Sequence, residues 1–295
     1  DWRAGELRFL LLALVIAVAA LSAVGFFADR MSRALERDAA QLLGADLVVR
    51  SDRPIDPAWR VRAEREGLRL ADTVSFPSMA ITGSGEEEDA KLVAVKAVSA
   101  AYPLRGEVTL EREGRKYPAR GAPAPGMLWV DPAFLSVRNV AVGDTVGLGD
   151  RRFRIDAAIA MEKDRGAGFM NFAPRVMMSL DDLAATGLIS EGARVSYRLQ
   201  LAGEPAAVKR FQDWLAPQLK DGEVRGVQLE SLDAGRPEMR TTLERARQFL
   251  SLVGLLTAML AAMAIALAAR RFMQRHVDAV AMLRCLGMPQ AQVTR

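Results

Sequence analysis

The chain contains one cysteine and one histidine in 295 residues, and each shortage excludes something. Cys285 alone cannot form an intrachain disulfide, which permits a segment outside the cytoplasm without requiring one. His276 follows an apolar run instead of lying in the polar middle of the chain. A Ser–His–Asp site or a histidine-based metal site in that middle region is therefore excluded. The pattern G-x-x-x-x-G-K-[ST] does not occur, so the chain has no loop of that kind to cradle the phosphates of ATP. Carboxylate pairs at Asp181–Asp182 and Glu86–Glu88 fall at a helix start and a loop tip, positions that account for them without acid–base chemistry. No catalytic, cofactor-binding or metal-ligating set is assigned, and a membrane-tethered hydrolase fails on that ground.

Charge is missing from two stretches. Residues 9–28, FLLLALVIAVAALSAVGFFA, and 249–269, FLSLVGLLTAMLAAMAIALAA, carry no Asp, Glu, Lys or Arg. About twenty apolar residues cross a bilayer core, so both are predicted spans. The first is too long for a signal peptide, and its A-x-A-like Ala17–Ala19 lies inside the run instead of after it. With no ionisable side chain, neither span offers a path for protons or ions. Small residues at four-residue spacing (Gly254, Ala258 and Ala262; Ala13 and Ala17) let helices approach closely.

Two spans put both ends of the chain on one side of the membrane and the polar middle on the other. Arginines flank both ends of both spans (Arg3, Arg8, Arg270 and Arg271 against Arg30, Arg33, Arg245 and Arg247), so they do not orient the chain. Residues 1–28 balance, while 249–295 hold five arginines against Asp278, which equals the net +4 of the whole chain. The middle region is thus neutral, which argues against nucleic acid as a partner. The basic excess lies after the second run, where membrane lipids or an acidic protein could meet it. The chain begins without methionine and stops in mid-pattern at QAQVTR, and it reads as a piece of a longer membrane protein.

Helical spacing continues past the first span through Met31, Leu35, Ala39 and Leu42 to a stop at Gly44. Such a helix is on the order of 50 Å long, more than the ~30 Å hydrocarbon core, and forms a stalk. Pro237 opens a second stalk that runs without a breaker into the second span. Between them, 45–50, 68–81 and 91–98 read as strands and 57–67 as a helix, with an acidic tip at 83–90. The same order returns at 194–203, 204–219 and 224–231 as strand, helix and strand, a split ferredoxin-like pairing of βαβ units. The stretch between them is denser in turns: MLWV as a strand, a short helix capped by Asp131, and a hairpin turning near Gly149–Asp150. The expected fold is therefore a membrane α+β protein. Residues 1–44 form span one and its stalk; 45–104 with 193–234 form a discontinuous porter-like α+β subdomain; 105–192 form an inserted β-rich subdomain. Residues 235–271 form the second stalk and span, and 272–295 a cytoplasmic region.

Two segments stand out as contact candidates. The loop DRGAGFMNFAPR, 164–175, sets Phe169, Met170 and Phe172 among glycines, where they could touch lipid, a hydrophobic cargo or a partner; the plainer reading tucks them against their own core. After Arg270–Arg271, the segment RHVDAVAMLRCLGM is too polar to cross a membrane and ends at Gly287 before Pro289. It reads as a separate short amphipathic helix at the membrane surface, equally suited to anchoring or to docking.

That segment resembles the R-x-x-E-I-x-x-L-R-A-L-G-A stretch of FtsX/MacB-type ABC transporter permeases. The opening WRAGELRFLLLALVIAVAALSAVGFFADR with LLGADLVVRSDRP is similar to their YbbP-like branch, and the family's VGDT hairpin falls at 142–145. The resemblance implies a periplasmic domain, a bacterial inner-membrane location and a cytoplasmic coupling helix that docks on a separate ATPase. By position, Arg275, Asp278, Leu283, Arg284, Leu286 and Gly287 would form or shape that docking element, with Asp278 and Cys285 departing from the usual glutamate and alanine. ATP and Mg would be bound by a YbbA-like ABC ATPase partner, and a TesA-like periplasmic esterase and hydrophobic or lipid-like cargo are further implications. The alternative is a two-span sensor receptor with a periplasmic ligand-binding domain.

Overall fold

The structure, a computed structural model, describes residues 5–83, 88–138, 140–165, 172–190, 192–220, 226–231 and 237–286. Residues 84–87 of the acidic tip lie outside them, as do Phe169, Met170 and Gly287.

Two compact units divide the chain. The first comprises Asp1–Leu35 with Pro237–Arg295, and the second is Glu36–Arg236. Helix α1, Gly5–Leu43, is unbroken over 39 residues, ~58 Å at 1.5 Å per residue. Its continuity follows from composition, because the run is rich in Ala and Leu and has no proline. The last helix, α6, runs Pro237–Cys285. Within it Ser251–Arg271 has a mean hydropathy of 2.4 and, among the described residues, is the one stretch long and apolar enough to cross a membrane. Large apolar side chains such as Leu255, Met259, Leu260 and Met263 are exposed along it. Only Gly254 is buried among the side chains described in that stretch.

The sequence reading broke the helix after Arg270–Arg271, and the structure corrects it. α6 passes through both arginines and reaches Cys285 as one 49-residue helix, so the segment after the second apolar run is not a separate element. The reason is local: no glycine or proline lies between Gly254 and Gly287, and arginine is a good helix former. The change from apolar to polar alters what surrounds the helix, not whether the backbone continues.

The second unit is one sheet built from β1 (Leu47–Ser51), β2 (Arg69–Thr82), β3 (Asp89–Val98), β4 (Val108–Arg112), β5 (Arg115–Ala119) and β6 (Met127–Val130), followed by β7 (Thr145–Leu148), β8 (Arg151–Glu162), β9 (Arg175–Ser179), β10 (Ser196–Ala202) and β11 (Val227–Ser231). Helices α2 (Pro57–Arg65), α3 (Pro132–Arg138), α4 (Leu180–Leu183) and α5 (Pro205–Lys220) connect them. The order β11-β1-β10-β2 is wholly antiparallel and interleaves the two strand–helix–strand units. Both helices cover one face of these strands, where Trp59, Ala63, Phe211 and Leu215 meet Leu47, Val49, Leu199 and Leu201.

β2 and β3 then continue into a second arrangement. β3 pairs with β9, β9 with β6, β6 with β8, β8 with β7, and β7 returns to β2. These pairings close a six-strand ring, and the sheet's edges lie outside it, at β5 and β11. Its interior holds Phe76, Val95, Leu128, Val146, Phe153, Ile155 and Met178, with Phe134 of α3 and Leu183 of α4 joining the same cluster. The porter-like and β-rich regions read from sequence thus share β2 and β3, because those strands are long enough, 14 and 10 residues, to serve both.

A third cluster forms where the hairpin β4–β5 and the far half of β8 meet the remaining sheet face: Val48, Val98, Tyr102, Leu110, Trp129, Ile159 and Met177. β8 reaches both clusters because its register against β6 shifts between Ile155 and Ala157. Such an irregularity turns alternate side chains to the other face. Ile155 therefore faces the ring interior and Ala157 the third cluster. The residue at the shift, Asp156, accepts hydrogen bonds from Arg112 and from Trp129 Nε1 (3.2 Å). A second shift, against β4, leaves Met161 exposed and Glu162 buried.

Candidate functional site

On β3 the residues Val93, Val95 and Ala97 line the ring, so strand alternation aims Lys96 outward. Outward here does not mean solvent. The 99–106 loop, β8 and the end of α1 cover that face, and the Lys96 side chain is 3 % exposed. Its ammonium donates to Glu162 Oε1 at 2.8 Å, Asp164 Oδ2 at 2.9 Å and the Tyr102 hydroxyl at 2.8 Å. Those three contacts use all its donors. The Tyr102 hydroxyl donates to Asp164 Oδ1. Arg175, at the start of β9, donates from Nε to Glu162 Oε2 at 3.1 Å and from Nη2 to the Arg165 carbonyl at 3.1 Å. Gln200 of β10, fully buried, donates from Nε2 to Asp164 Oδ2 at 3.2 Å.

Two cations and two carboxylates, Lys96 and Arg175 against Glu162 and Asp164, therefore meet in the interior with formal neutrality. Burial pushes the Glu162 carboxyl up, but the charges of Lys96 and Arg175 outweigh it and hold that carboxyl below its ordinary value of 4.5. Burial, followed by the nearby charges of Asp164 and Glu162, pushes the Tyr102 hydroxyl well above its ordinary value of 10.0. The network leaves one buried polar atom, Gln200 Oε1, without a hydrogen-bond partner among the described residues. Its chemistry is adhesive: every group that would act as nucleophile or base is engaged with another side chain.

The network grips the last turn of α1. Gln200 Nε2 also reaches the Leu43 carbonyl at 3.5 Å, and Lys163, beside Glu162, donates to the Gln41 side chain. Gly44 ends the helix with φ +74, and a Cβ there would lie 2.9 Å from both Asp164 Oδ2 and Gln200 Nε2. The glycine thus serves the helix stop and the close approach at once. Just beyond it, Asp46 accepts both arms of the Arg105 guanidinium at 2.8 and 2.7 Å and the Gly203 N–H at 3.0 Å. That hydrogen bond to Asp46 raises the Arg105 pKa. Arg105 N–H donates to the Gly44 carbonyl at 2.9 Å.

Residues 9–218, which include every member of this network, match the family model of the MacB-like periplasmic core domain. The chain belongs to that family. Over its full 295 residues it is 34 % identical to the uncharacterized ABC transporter permease YbbP of Escherichia coli (strain K12), and it spans 35 % of that relative's length. Among solved structures it is similar to the periplasmic region of MacB from Actinobacillus actinomycetemcomitans, at 11 % identity and a TM-score of 0.42, covering 70 % of this chain and 95 % of that one. It is likewise similar to the extracellular domain of the ABC-type transporter YknZ from Gram-positive bacteria, at 11 % identity and a TM-score of 0.39, covering 63 % and 100 %.

For this MacB-like chain, the residues expected from sequence to dock an ATPase lie beyond the matched core domain. Arg275, Asp278, Leu283 and Arg284 fall on the last turns of α6, and Leu286 follows in a turn, exposed, its N–H bonded to the Met282 carbonyl at 3.1 Å. Gly287 lies outside the described residues. Of the loop candidates, Phe172 is 86 % exposed, whereas Phe169 and Met170 lie outside the described residues. Sequence reasoning did not find the buried network. Its one trace was the 164–175 loop, whose first and last residues, Asp164 and Arg175, both belong to it.

Proposed function

We propose that this chain is the N-terminal part of a permease subunit in a MacB/FtsX-type ABC transporter of the bacterial inner membrane. In this reading two spans carry a periplasmic domain, ATP is hydrolysed by a YbbA-like partner, and the resulting motion travels outward along α1 and α6. The observation that carries the proposal is the attachment of α1. A 39-residue helix carries an uncharged run at one end, and at the other its Leu43 carbonyl and Gln41 side chain are held by Gln200 and Lys163, neighbours of a buried network of four charges. On this proposal the held end of α1 receives displacement for the domain, which supports mechanical transmission over conduction. Spans without ionisable residues support the same choice. The similarity of the whole of this chain to about a third of an ABC transporter permease favours this reading over a two-span receptor.

On this proposal force enters at the cytoplasmic end of α6, through Arg275, Asp278, Leu283, Arg284, Leu286 and Gly287. Hydrophobic or lipid-like compounds are the proposed cargo, with a TesA-like esterase as a periplasmic partner. Charge reversal of Asp278→Arg with Arg284→Glu tests the docking. Co-purification with the ATPase and its stimulated turnover should both be lost while the domain's unfolding midpoint is unchanged. Unchanged binding and turnover would refute docking at that segment.

A further inference from the structure

Beside the loop that carries Tyr102 lies a cleft of about 390 Å³, lined by Arg69, Arg105 and Arg120 together with Ala100, Leu104 and Gly121. We propose that this cleft binds a phosphate-ester anion. The argument rests on charge and on how the walls are built.

Arg105 is fixed and neutralised by its two-armed pairing with Asp46. Arg69 and Arg120 are exposed and, among the described residues, form no ion pair. The lining therefore carries two uncompensated guanidinium groups beside a third that is already oriented, on a region whose overall charge is neutral by sequence. Like charges gathered in one concavity repel, and an anion relieves that repulsion. One carboxylate is satisfied by one guanidinium fork. A phosphate ester offers several anionic oxygens to more than one fork, which is what Arg69 and Arg120 around one volume can use.

The cleft is held open by backbone, not by mobile side chains. Gly121 N–H donates to the Tyr102 carbonyl at 2.5 Å, and its φ of +97 belongs to the region glycine favours. A Cβ at Gly121 would lie 3.2 Å from the Ala100 carbonyl, so a side chain there would crowd the facing wall. On the other side Arg105 N–H is tied to the Gly44 carbonyl. The Tyr102 side chain, pointing inward, is locked to Lys96 and Asp164. The cleft wall at 100–106 is thus anchored through Tyr102 to the buried network, and a wall held in place lowers the cost of reorganisation on binding.

A soluble phosphate monoester and a phospholipid headgroup present the same chemistry. The full chain in detergent micelles would be titrated calorimetrically with sn-glycerol 3-phosphate and, separately, with a short-chain phosphatidylglycerol below its micellar concentration. Saturable binding of at least one probe is expected, weakened by added salt and by roughly tenfold or more in the Arg69→Gln/Arg120→Gln double variant. Binding should be unaffected by Arg151→Gln, which removes an exposed arginine outside the cleft. Arg69→Lys/Arg120→Lys should fall between, because the charge stays and the fork goes. Binding of the lipid alone assigns a headgroup; equal binding of both assigns the soluble ester. Absence of saturable binding, affinity unchanged in the double glutamine variant, or displacement by acetate at equal concentration would overturn the proposal. Both arginines are exposed and unpaired, so the unfolding midpoint of each variant should match the parent.

Discussion

Lys96→Met is the most direct test of the buried network. The substitution keeps an unbranched apolar stem, one atom shorter, and removes the charged ammonium. In the parent, Lys96 faces Glu162 and Asp164, whose side chains are 0 % and 4 % exposed. After the change, Glu162 still has Arg175 at 3.1 Å, but Asp164 keeps only neutral donors, the Tyr102 hydroxyl and Gln200. One buried negative charge is left unopposed, a defect worth about 3–5 kcal/mol. For a domain of this size that corresponds to a fall of roughly 6–20 °C in unfolding midpoint. Trp59 and Trp129, 5 % and 6 % exposed, report the transition by fluorescence in the full chain. The second variant, Lys96→Met/Asp164→Asn, restores neutrality and should be more stable than Lys96→Met alone, with a coupling of about 1–3 kcal/mol. A single-variant loss below about 1 kcal/mol, or strict additivity of the two changes, would show that Lys96 and Asp164 do not act as a buried pair.

Two further outcomes follow from the same site. Gly44→Ala places a Cβ 2.9 Å from two pinned side-chain atoms at a φ of +74, and should lower stability by about 1–3 kcal/mol in chemical denaturation; a neutral result would mean that the end of α1 is not gripped. The pH profile should fall at both ends. The Glu162 carboxyl is held below 4.5 in the folded domain, so its contribution is present above about pH 4.5 and is lost on acidification through the lower folded value. Tyr102 is held above 10.0, so the unfolded chain ionises first and stability drops by about 1.4 kcal/mol per pH unit once pH passes 10. Tyr102→Phe should abolish the alkaline limb and leave the acid limb, as followed by thermal unfolding across pH; an unchanged alkaline limb would refute the assignment.

The sequence alone determined what depends on neighbours along the chain. Helical spacing past residue 28 and the stop at Gly44 matched α1, because the absence of breakers and the need for a left-handed residue are local facts. The two strand–helix–strand units, the Asp131 cap, whose Oδ1 accepts from Ala133 N–H at 2.9 Å, and the turn at Gly149 were legible for the same reason. The hairpin β4–β5 was not, although Glu113 and Gly114 at its turn both have positive φ. β5 is exposed along most of its length, so no apolar alternation marks it.

Only the tertiary structure decided the site. Alternation correctly puts Lys96 on the side of β3 away from Val95, but whether that side meets water depends on β8 and the end of α1, which arrive from distant parts of the sequence. Two register shifts in β8 then choose which of its residues turn inward, and no periodic pattern survives such shifts. Residues 96, 102, 162, 164, 175 and 200 share no motif because their relation is fixed by sheet closure in three dimensions, not by spacing. Local chemistry wrote the helices and strands; long-range pairing decided which charges they bury together.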